Sequence, residues 1–388
     1  MYIHVVRAGE TVSSVAARYG VPAGILAGVN GVAPDAPLAV GQTLVVRHPR
    51  ELHTVASGES VYSIALRYGL SVRTLYQNNP ALGGRSALYP GQTLVIAYDD
   101  TPTRTLAVNA YSYPFIRGGL LDAALPYLTY LTPFTYGINA DGTLLPLADE
   151  WLLAAAGQYR TAALMHLSTL TEEGRFDNAR STLILEEADA QDALVQSILE
   201  TVQARHYFGL DVDFEYVLPE QREAYAAFIT RLREALNPLG CPVIVALAPK
   251  TSAAQRGLLY EAHDYALLGA AANAVFLMTY EWGYAYGPPM AVAPLGQVRA
   301  VLDYALTAVA PEKIFMGIPL YGYDWPLPFV SGETRAESLS PVQAVERALR
   351  HDIAIQYDAA AQAPYYHYTD RGEREHAVWF EDARSIKA

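Results

Sequence analysis

Asp211, Asp213 and Glu215 stand at alternate positions in Phe208-Gly209-Leu210-Asp211-Val212-Asp213-Phe214-Glu215-Tyr216, separated by Val212 and Phe214. A period of two is that of a β-strand, so one face of the stretch is apolar and the other carries the three carboxylates. Acids about 7 Å apart along one face suit acid–base chemistry, because burial and mutual repulsion keep some protonated near neutral pH while others ionise. The same residues could line the wet face of a half-exposed strand. The apolar segments around them argue for burial instead, where like charges cost several kcal/mol unless they share protons or meet a ligand.

Such a strand needs a scaffold, and the chain supplies one from Thr105 onward, where apolar strands alternate with helical stretches in the manner of a parallel β/α architecture. Strands are expected at Leu106 to Tyr113, Leu128 to Phe134, Ala162 to Leu167, the acidic stretch itself, Val243 to Ala248, Ala274 to Tyr280 and Lys313 to Pro319. A helix from Glu220 to Leu236 ends at Asn237-Pro238-Leu239-Gly240. Most of the strands run into polar or aromatic residues at their C-terminal ends, the face on which a parallel barrel carries its site. His166, near the end of the third strand, has no partners at metal-ligand spacing and is read as structural.

The first hundred residues are a repeat. His4-Val5-Val6-Arg7-Ala8-Gly9-Glu10-Thr11-Val12 returns as His53-Thr54-Val55-Ala56-Ser57-Gly58-Glu59-Ser60-Val61, and Gly41-Gln42-Thr43-Leu44-Val45 as Gly91-Gln92-Thr93-Leu94-Val95. Each copy reads strand, helix, helix, strand. Thr11 and Ser60 are placed to cap a first helix, Gly20 and Gly69 to end it in the left-handed region, and Pro22 and Ser71 to open a second. Tyr98 to Thr103, acidic and with a proline, reads as a linker.

The chain has 388 residues, 52% hydrophobic and 17% charged, which describes packed domains rather than disorder. A net charge of −13 disfavours nucleic acid and anionic membrane as partners, and no apolar run reaches the roughly 20 residues of a membrane span. Cys241 is the single cysteine, which leaves no internal disulfide. No signal peptide is read ahead of Tyr2. No cofactor and no metal is expected.

The acidic stretch resembles the signature of family 18 glycoside hydrolases, in which Asp-x-x-Asp-x-Asp-x-Glu closes the fourth strand of a TIM barrel. Asp211, Asp213 and Glu215 match its last three acids, and Phe208 stands where the family has its first. The resemblance implies a (β/α)8 TIM-barrel fold and a retaining, substrate-assisted mechanism in which the substrate's own N-acetyl oxygen attacks the anomeric carbon. Glu215 would be the general acid, Asp213 would orient the acetamido group, and Asp211 would hold or share a proton with Asp213. Met278-Thr279-Tyr280-Glu281-Trp282 is similar to the family's Met-x-Tyr-Asp segment, with Glu for Asp. By that match Tyr280 would hydrogen-bond the acetamido group, with Met278 and Trp282 beside it. Tyr321, Tyr323 and Trp325, after the seventh strand, could stack on sugar faces.

The repeat resembles LysM modules, small βααβ domains that bind N-acetylglucosamine-containing glycans such as peptidoglycan and chitin. By that resemblance Gly58, Glu59, Ser60, Asn79 and Pro80 would line the sugar groove of the second copy. Expected boundaries are 1–49 and 50–99 for the modules and 100–388 for the barrel, with a small α+β insertion at about 326–382 after the seventh strand. The segment Thr279 to Pro289 and the segment Val378 to Ser385 are similar to spore-cortex enzymes of the family. The whole arrangement resembles bacterial spore-germination N-acetylglucosaminidases. An enzyme cutting β-1,4 bonds after N-acetylglucosamine in spore-cortex peptidoglycan is therefore expected, at the spore coat, cortex or cell wall. A chitinase and a non-catalytic glycan binder are the alternatives. No apolar run remains for an eighth barrel strand, so the chain is expected to be truncated and its barrel open between the first and seventh strands.

Overall fold

The structure, a computed structural model, describes residues 1–100, 104–171 and 173–388. Each repeat forms the expected unit. Tyr2–Val5 pairs antiparallel with Thr43–Val46 across helices Val12–Tyr19 and Ala23–Val29, and Pro49–Thr54 pairs with Thr93–Tyr98 across Val61–Arg67 and Val72–Asn78. The hydroxyls of Thr11 and Ser60 accept from the amides of Ser14 and Ser63 at 3.1 Å, which satisfies free donors of each first turn. Of the expected linker, residues 101–103 lie outside the described residues. Its first part is held firmly: Asp100 takes the Met1 ammonium at 2.7 Å and the Arg47 guanidinium at 2.6 Å, and Arg47 lies over the Tyr98 ring.

The modules do not stand apart from the rest of the chain. The second is bonded to the barrel, with Arg73 and Gln77 both donating to the Pro126 carbonyl at 2.8 Å and Tyr159 donating to the Gly84 carbonyl at 2.8 Å. Tyr159 also packs into the second module's own core. The first module meets the insertion: Ala39 is buried with Leu339, Ala344, Tyr366 and Phe380, and Ile355 donates its amide to the Val40 carbonyl at 2.8 Å. At Gly41 (φ +86°) a Cβ would lie 1.9 Å from the Ile355 carbonyl oxygen, so only glycine admits this approach. Besides the linker, then, residues of the modules and of the rest of the chain share cores.

The barrel strands are β1 (Asn109–Ser112), β2 (Tyr130–Pro133), β3 (Ala162–Ser168), β4 (Gly209–Asp213), β5 (Val243–Leu247), β6 (Ala274–Leu277) and β7 (Ile314–Met316), parallel and in chain order. Among the described residues β1 and β7 are the two edges of this curled sheet and do not pair with each other. The seven expected strands are all present, six of them starting or stopping inside the expected run and the third running one residue beyond it, to Ser168. Leu210, Val212 and Phe214 of the acidic stretch enter the main core, where they meet Tyr225, Phe228, Ile229 and Leu232 of helix Arg222–Leu236. That i, i+3, i+4, i+7 spacing makes one apolar helix face and leaves Asp211 and Asp213 for the barrel interior. Helices Asn178–Glu186 and Ala188–Arg205, which the sequence reading left unassigned, link β3 to β4.

The insertion is a five-stranded antiparallel sheet of β8 (Gly322–Pro326), β9 (Glu337–Leu339), β10 (Gln356–Asp358), β11 (Ala363–Thr369) and β12 (Glu375–Trp379), in the order β9-β8-β12-β11-β10. Helix Pro341–Arg350, capped by Ser340, covers it. The sheet therefore begins at Gly322, ahead of the expected start near 326, because the segment read as a sugar platform is itself a central strand.

Candidate active site

β4 delivers the acids. Asp211 and Asp213 are 0% and 6% exposed, and the Oδ1 atom of each is buried with no hydrogen-bond partner among the described residues. Tyr111, reaching in from β1, donates its hydroxyl to Asp211 Oδ2 at 2.5 Å. Burial pushes the Asp211 carboxyl up to about 7 against the pull of that hydroxyl. Burial also raises Asp213 well above the carboxylate range, and the charges of Glu215 and Asp211 add to the shift. Glu215, at the strand's C-terminal mouth, is raised by burial and then by the charge of Glu281. A carboxyl held above the ordinary carboxylate range is what a proton-donating site requires, and Glu215 is shifted in that direction.

The backbone bearing Glu215 is clamped from the next strand. His263 Nε2 donates to the Phe214 carbonyl at 2.9 Å, while its Nδ1 accepts from the Ala248 amide at 2.8 Å just after β5. The two bonds require a single neutral tautomer, and burial lowers this imidazole to about 4. Tyr280 follows β6, and its phenol is raised by burial and then by the charges of Asp213, Glu215 and Asp211. It therefore sits among the three acids as a permanent proton-bearing group. Next to it, Glu281 adopts φ 69° and accepts from Tyr321 at 2.5 Å and from Tyr323 at 2.9 Å. The sequence reading noted Glu281 only as a replacement for Asp. Its charge on Glu215 and its tyrosine partners make it part of the site.

The other expected residues separate. Met278 is buried directly ahead of Tyr280, and Tyr321 is half-buried at the mouth. Trp282 is half-buried with its ring against the main core. Trp325 is 0% exposed and donates its indole N–H to the Gly287 carbonyl at 2.8 Å, so it is a core residue of the insertion and no sugar platform. Phe208, in the place of the family's first acid, packs its ring 5.5 Å from Tyr130 at the opposite end of β4. An aromatic arc that the sequence reading missed follows β1, β2 and β3. Phe115, 81% exposed, stacks on Tyr113 at 4.9 Å, Tyr113 meets Phe134 at 5.1 Å, and Phe134 covers His166 at 4.7 Å.

In the second LysM copy, Gly58 and Ser60 are exposed on the loop before its first helix, and Pro80 opens a short 3-10 turn. Glu59 and Asn79 are occupied internally. Glu59 accepts from His53 at 2.7 Å and from the Ala56 amide at 2.8 Å, and pairs with Arg67. Asn79 is buried and ties Leu75 to Val95 through its side-chain amide. The first copy repeats both devices with Glu10 and Asn30. These two side chains, expected as groove contacts, are engaged within the module and shape its loops.

The raised Asp211 carboxyl has a consequence for stability. Its folded value of about 7 exceeds the 3.8 of a free aspartate, so its contribution is fully present below about pH 4 and lost as pH rises through 7. Asp211→Asn is therefore expected to gain melting temperature over the parent between about pH 4 and pH 8, by the equivalent of a few kcal/mol at the alkaline end. Thermal melts across that range check it, and a pH-independent difference would remove Asp211 from the buried acid set.

Comparison with known proteins agrees with this geometry. The family model described as Glycosyl hydrolases family 18 matches residues 168–388, and the LysM domain model matches residues 4–47 and 53–97. A Bacillus subtilis (strain 168) protein named cortical fragment-lytic enzyme is 38% identical over 398 residues, taking in 100% of this chain and 90% of that protein. The crystal structure of the Bacillus cereus spore cortex-lytic enzyme SleL superposes with a TM-score of 0.82 at 37% identity, covering 100% of this chain and 90% of that one. A chitinase from Chromobacterium violaceum ATCC 12472 superposes with a TM-score of 0.67 at 25% identity, over 73% of this chain and 88% of its own.

Proposed function

Because the chain belongs to the glycosyl hydrolases of family 18 and carries two LysM domains, we propose that it cleaves β-1,4 bonds after N-acetylglucosamine in the peptidoglycan of the spore cortex. The observation that carries this reading is the acid row that β4 delivers, buried, raised above the carboxylate range and open at Glu215, in a chain similar along its whole length to cortex-lytic enzymes. In the proposed reaction the acetamido oxygen of the bound sugar attacks its own anomeric carbon. The bond to the leaving oxygen breaks as Glu215 delivers its proton there. Asp213 holds the acetamido N–H and opposes the positive charge that develops on the resulting ring, and Tyr280 donates to the acetamido group from the other side. Water, deprotonated by Glu215, then opens that ring with net retention.

The LysM domains bind glycan and would hold the enzyme to the cell wall. The exposed Gly58–Ser60 loop and the turn at Pro80 are the parts of the second copy left for that contact. Residues 1–49, 50–99 and 100–388 are proposed as the three units.

A chitinase is the second reading, favoured by the structural likeness to the Chromobacterium violaceum enzyme. Incubating the whole chain with cortex peptidoglycan and with chitin oligomers, and reading the new reducing ends by mass spectrometry, separates the two. N-acetylglucosamine reducing ends from the cortex material support the proposal. Cleavage of chitin oligomers alone would replace it, and retention of both glycans without cleavage would leave a binding protein.

A further inference from the structure

His166 lies on β3 directly beside Asp211 in the parallel register, 1% exposed and turned into the barrel. Its Nδ1 is 2.6 Å from Thr135 Oγ1, and Thr135 Oγ1 is 3.0 Å from Ser168 Oγ, whose residue is in register with Asp213. Its Nε2 points at Asp213 Oδ2 from 3.7 Å, just beyond hydrogen-bond reach. The ring has little freedom to turn elsewhere, since Tyr111 meets it edge-on at 5.5 Å and Phe134 covers it at 4.7 Å. Burial lowers this imidazole to about 3, so it is neutral and carries one N–H. Thr135 has one hydroxyl hydrogen, with the Ser168 hydroxyl and the Tyr136 carbonyl also within its reach as acceptors; given to Nδ1, that hydrogen leaves the ring's one N–H on Nε2, facing Asp213.

We propose that Thr135 gives its hydroxyl hydrogen to His166 Nδ1 and that His166 is thereby the positioning residue of Asp213, supplying the N–H toward which the Asp213 carboxylate turns when it carries charge. Asp213 needs such a donor. Its Oδ1 is buried without a partner, and its acidic neighbours on β4 offer repulsion in place of a bond. Closing the 3.7 Å gap takes a small rotation of the Asp213 side chain. The ionisable groups facing this cluster are Tyr111 from β1, Asp211 and Asp213 from β4, Glu215 at the mouth and Tyr280 after β6. None is a cation, so a neutral donor is the available way to favour the Asp213 anion. The inference rests on the reading above in which the Asp213 anion orients the acetamido group.

The test uses the whole chain and a soluble N-acetylglucosamine oligomer, with kcat and KM followed across pH. His166→Leu removes the donor, so Asp213 should ionise later and the acid limb of kcat should move up by about one pH unit, with KM within about twofold. His166→Gln, whose amide N–H can replace the imidazole, should restore most of the limb. An unmoved limb in a folded His166→Leu protein overturns the proposal, and so does an equal shift in both variants, since a purely structural histidine would give that. Should His166→Leu fail to fold, Thr135→Val serves instead: it frees the tautomer and should move the limb the same way by a smaller amount, and an unchanged limb counts against the proposal. A readout independent of turnover is the His166 Nε2–H signal in nitrogen NMR. It should titrate with Asp213 in the parent and lose that titration in Asp213→Asn. A parent that shows the titration but no hydrolysis would fail the functional reading alone.

Discussion

Replacing Glu215 with glutamine is expected to lower turnover on an N-acetylated glycan by roughly a thousandfold, within the range that general acid catalysis supplies, while glycan binding stays within a few-fold of the parent. The substitution keeps the side chain's length and its hydrogen-bonding shape and deletes the one transferable proton at the mouth of the row. Glu215 is also the member of the row most open to solvent, with Asp211 buried and Asp213 nearly so beneath it. Neither buried acid can reach a leaving oxygen from there, so no neighbour should substitute. The variant should relieve repulsion as well, because after burial it is the charge of Glu215 that most raises Asp213. A modest gain in thermal stability at neutral pH should therefore accompany the loss of activity. Steady-state kinetics on soluble oligomers give the first result and thermal melts the second. Turnover within tenfold of the parent would take the proton-donor role away from Glu215.

A substrate in which the N-acetyl group is replaced by a hydroxyl is expected not to turn over measurably, a loss of at least several orders of magnitude. The architecture supports this size of effect. Two-carboxylate retention needs a second carboxylate about 5 Å from the acid and free to attack the sugar. Of the neighbouring acids, Asp211 is bonded to the Tyr111 hydroxyl, Glu281 accepts from Tyr321 and Tyr323, and Asp213 is held above the carboxylate range by burial and is assigned to the acetamido group. With no protein nucleophile presented, the acetamido oxygen has to supply the attack. A thiazoline analogue of the cyclised sugar should correspondingly compete with substrate, since it presents the charge and shape that Asp213 and Tyr280 are placed to meet. Efficient hydrolysis of a plain glucoside would show that a protein carboxylate attacks instead.

Periodicity made the barrel legible. The alternation in Leu210 to Glu215 assigns both faces of β4, and the apolar runs locate all seven strands because a parallel sheet covered by helices buries nearly continuous apolar segments. The same period misled at Tyr321, Tyr323 and Trp325. Alternate aromatics describe a buried strand as well as a row of sugar platforms, and only the pairing of β8 with β9 and β12 decides between them. Side-chain partners were out of reach for a related reason. Glu59 meets His53 six positions away and Asn79 meets Val95 sixteen away, yet nothing in their spacing says that a bond closes. Glu281 finds its two tyrosines 40 and 42 residues on, and His166 finds Thr135 31 residues back. Those contacts exist only once the sheet has curled, and they make up most of what surrounds the acids.

The bonds from Ile355 to Val40 and from Tyr159 to Gly84 have a further effect. An anchor on a slack tether lets a blade sample every position within the tether's length, and its products scatter accordingly. Here the grip and the blade are parts of one body. A glycan strand held by the modules would therefore meet Glu215 at a set reach and heading, as work is held in a jig.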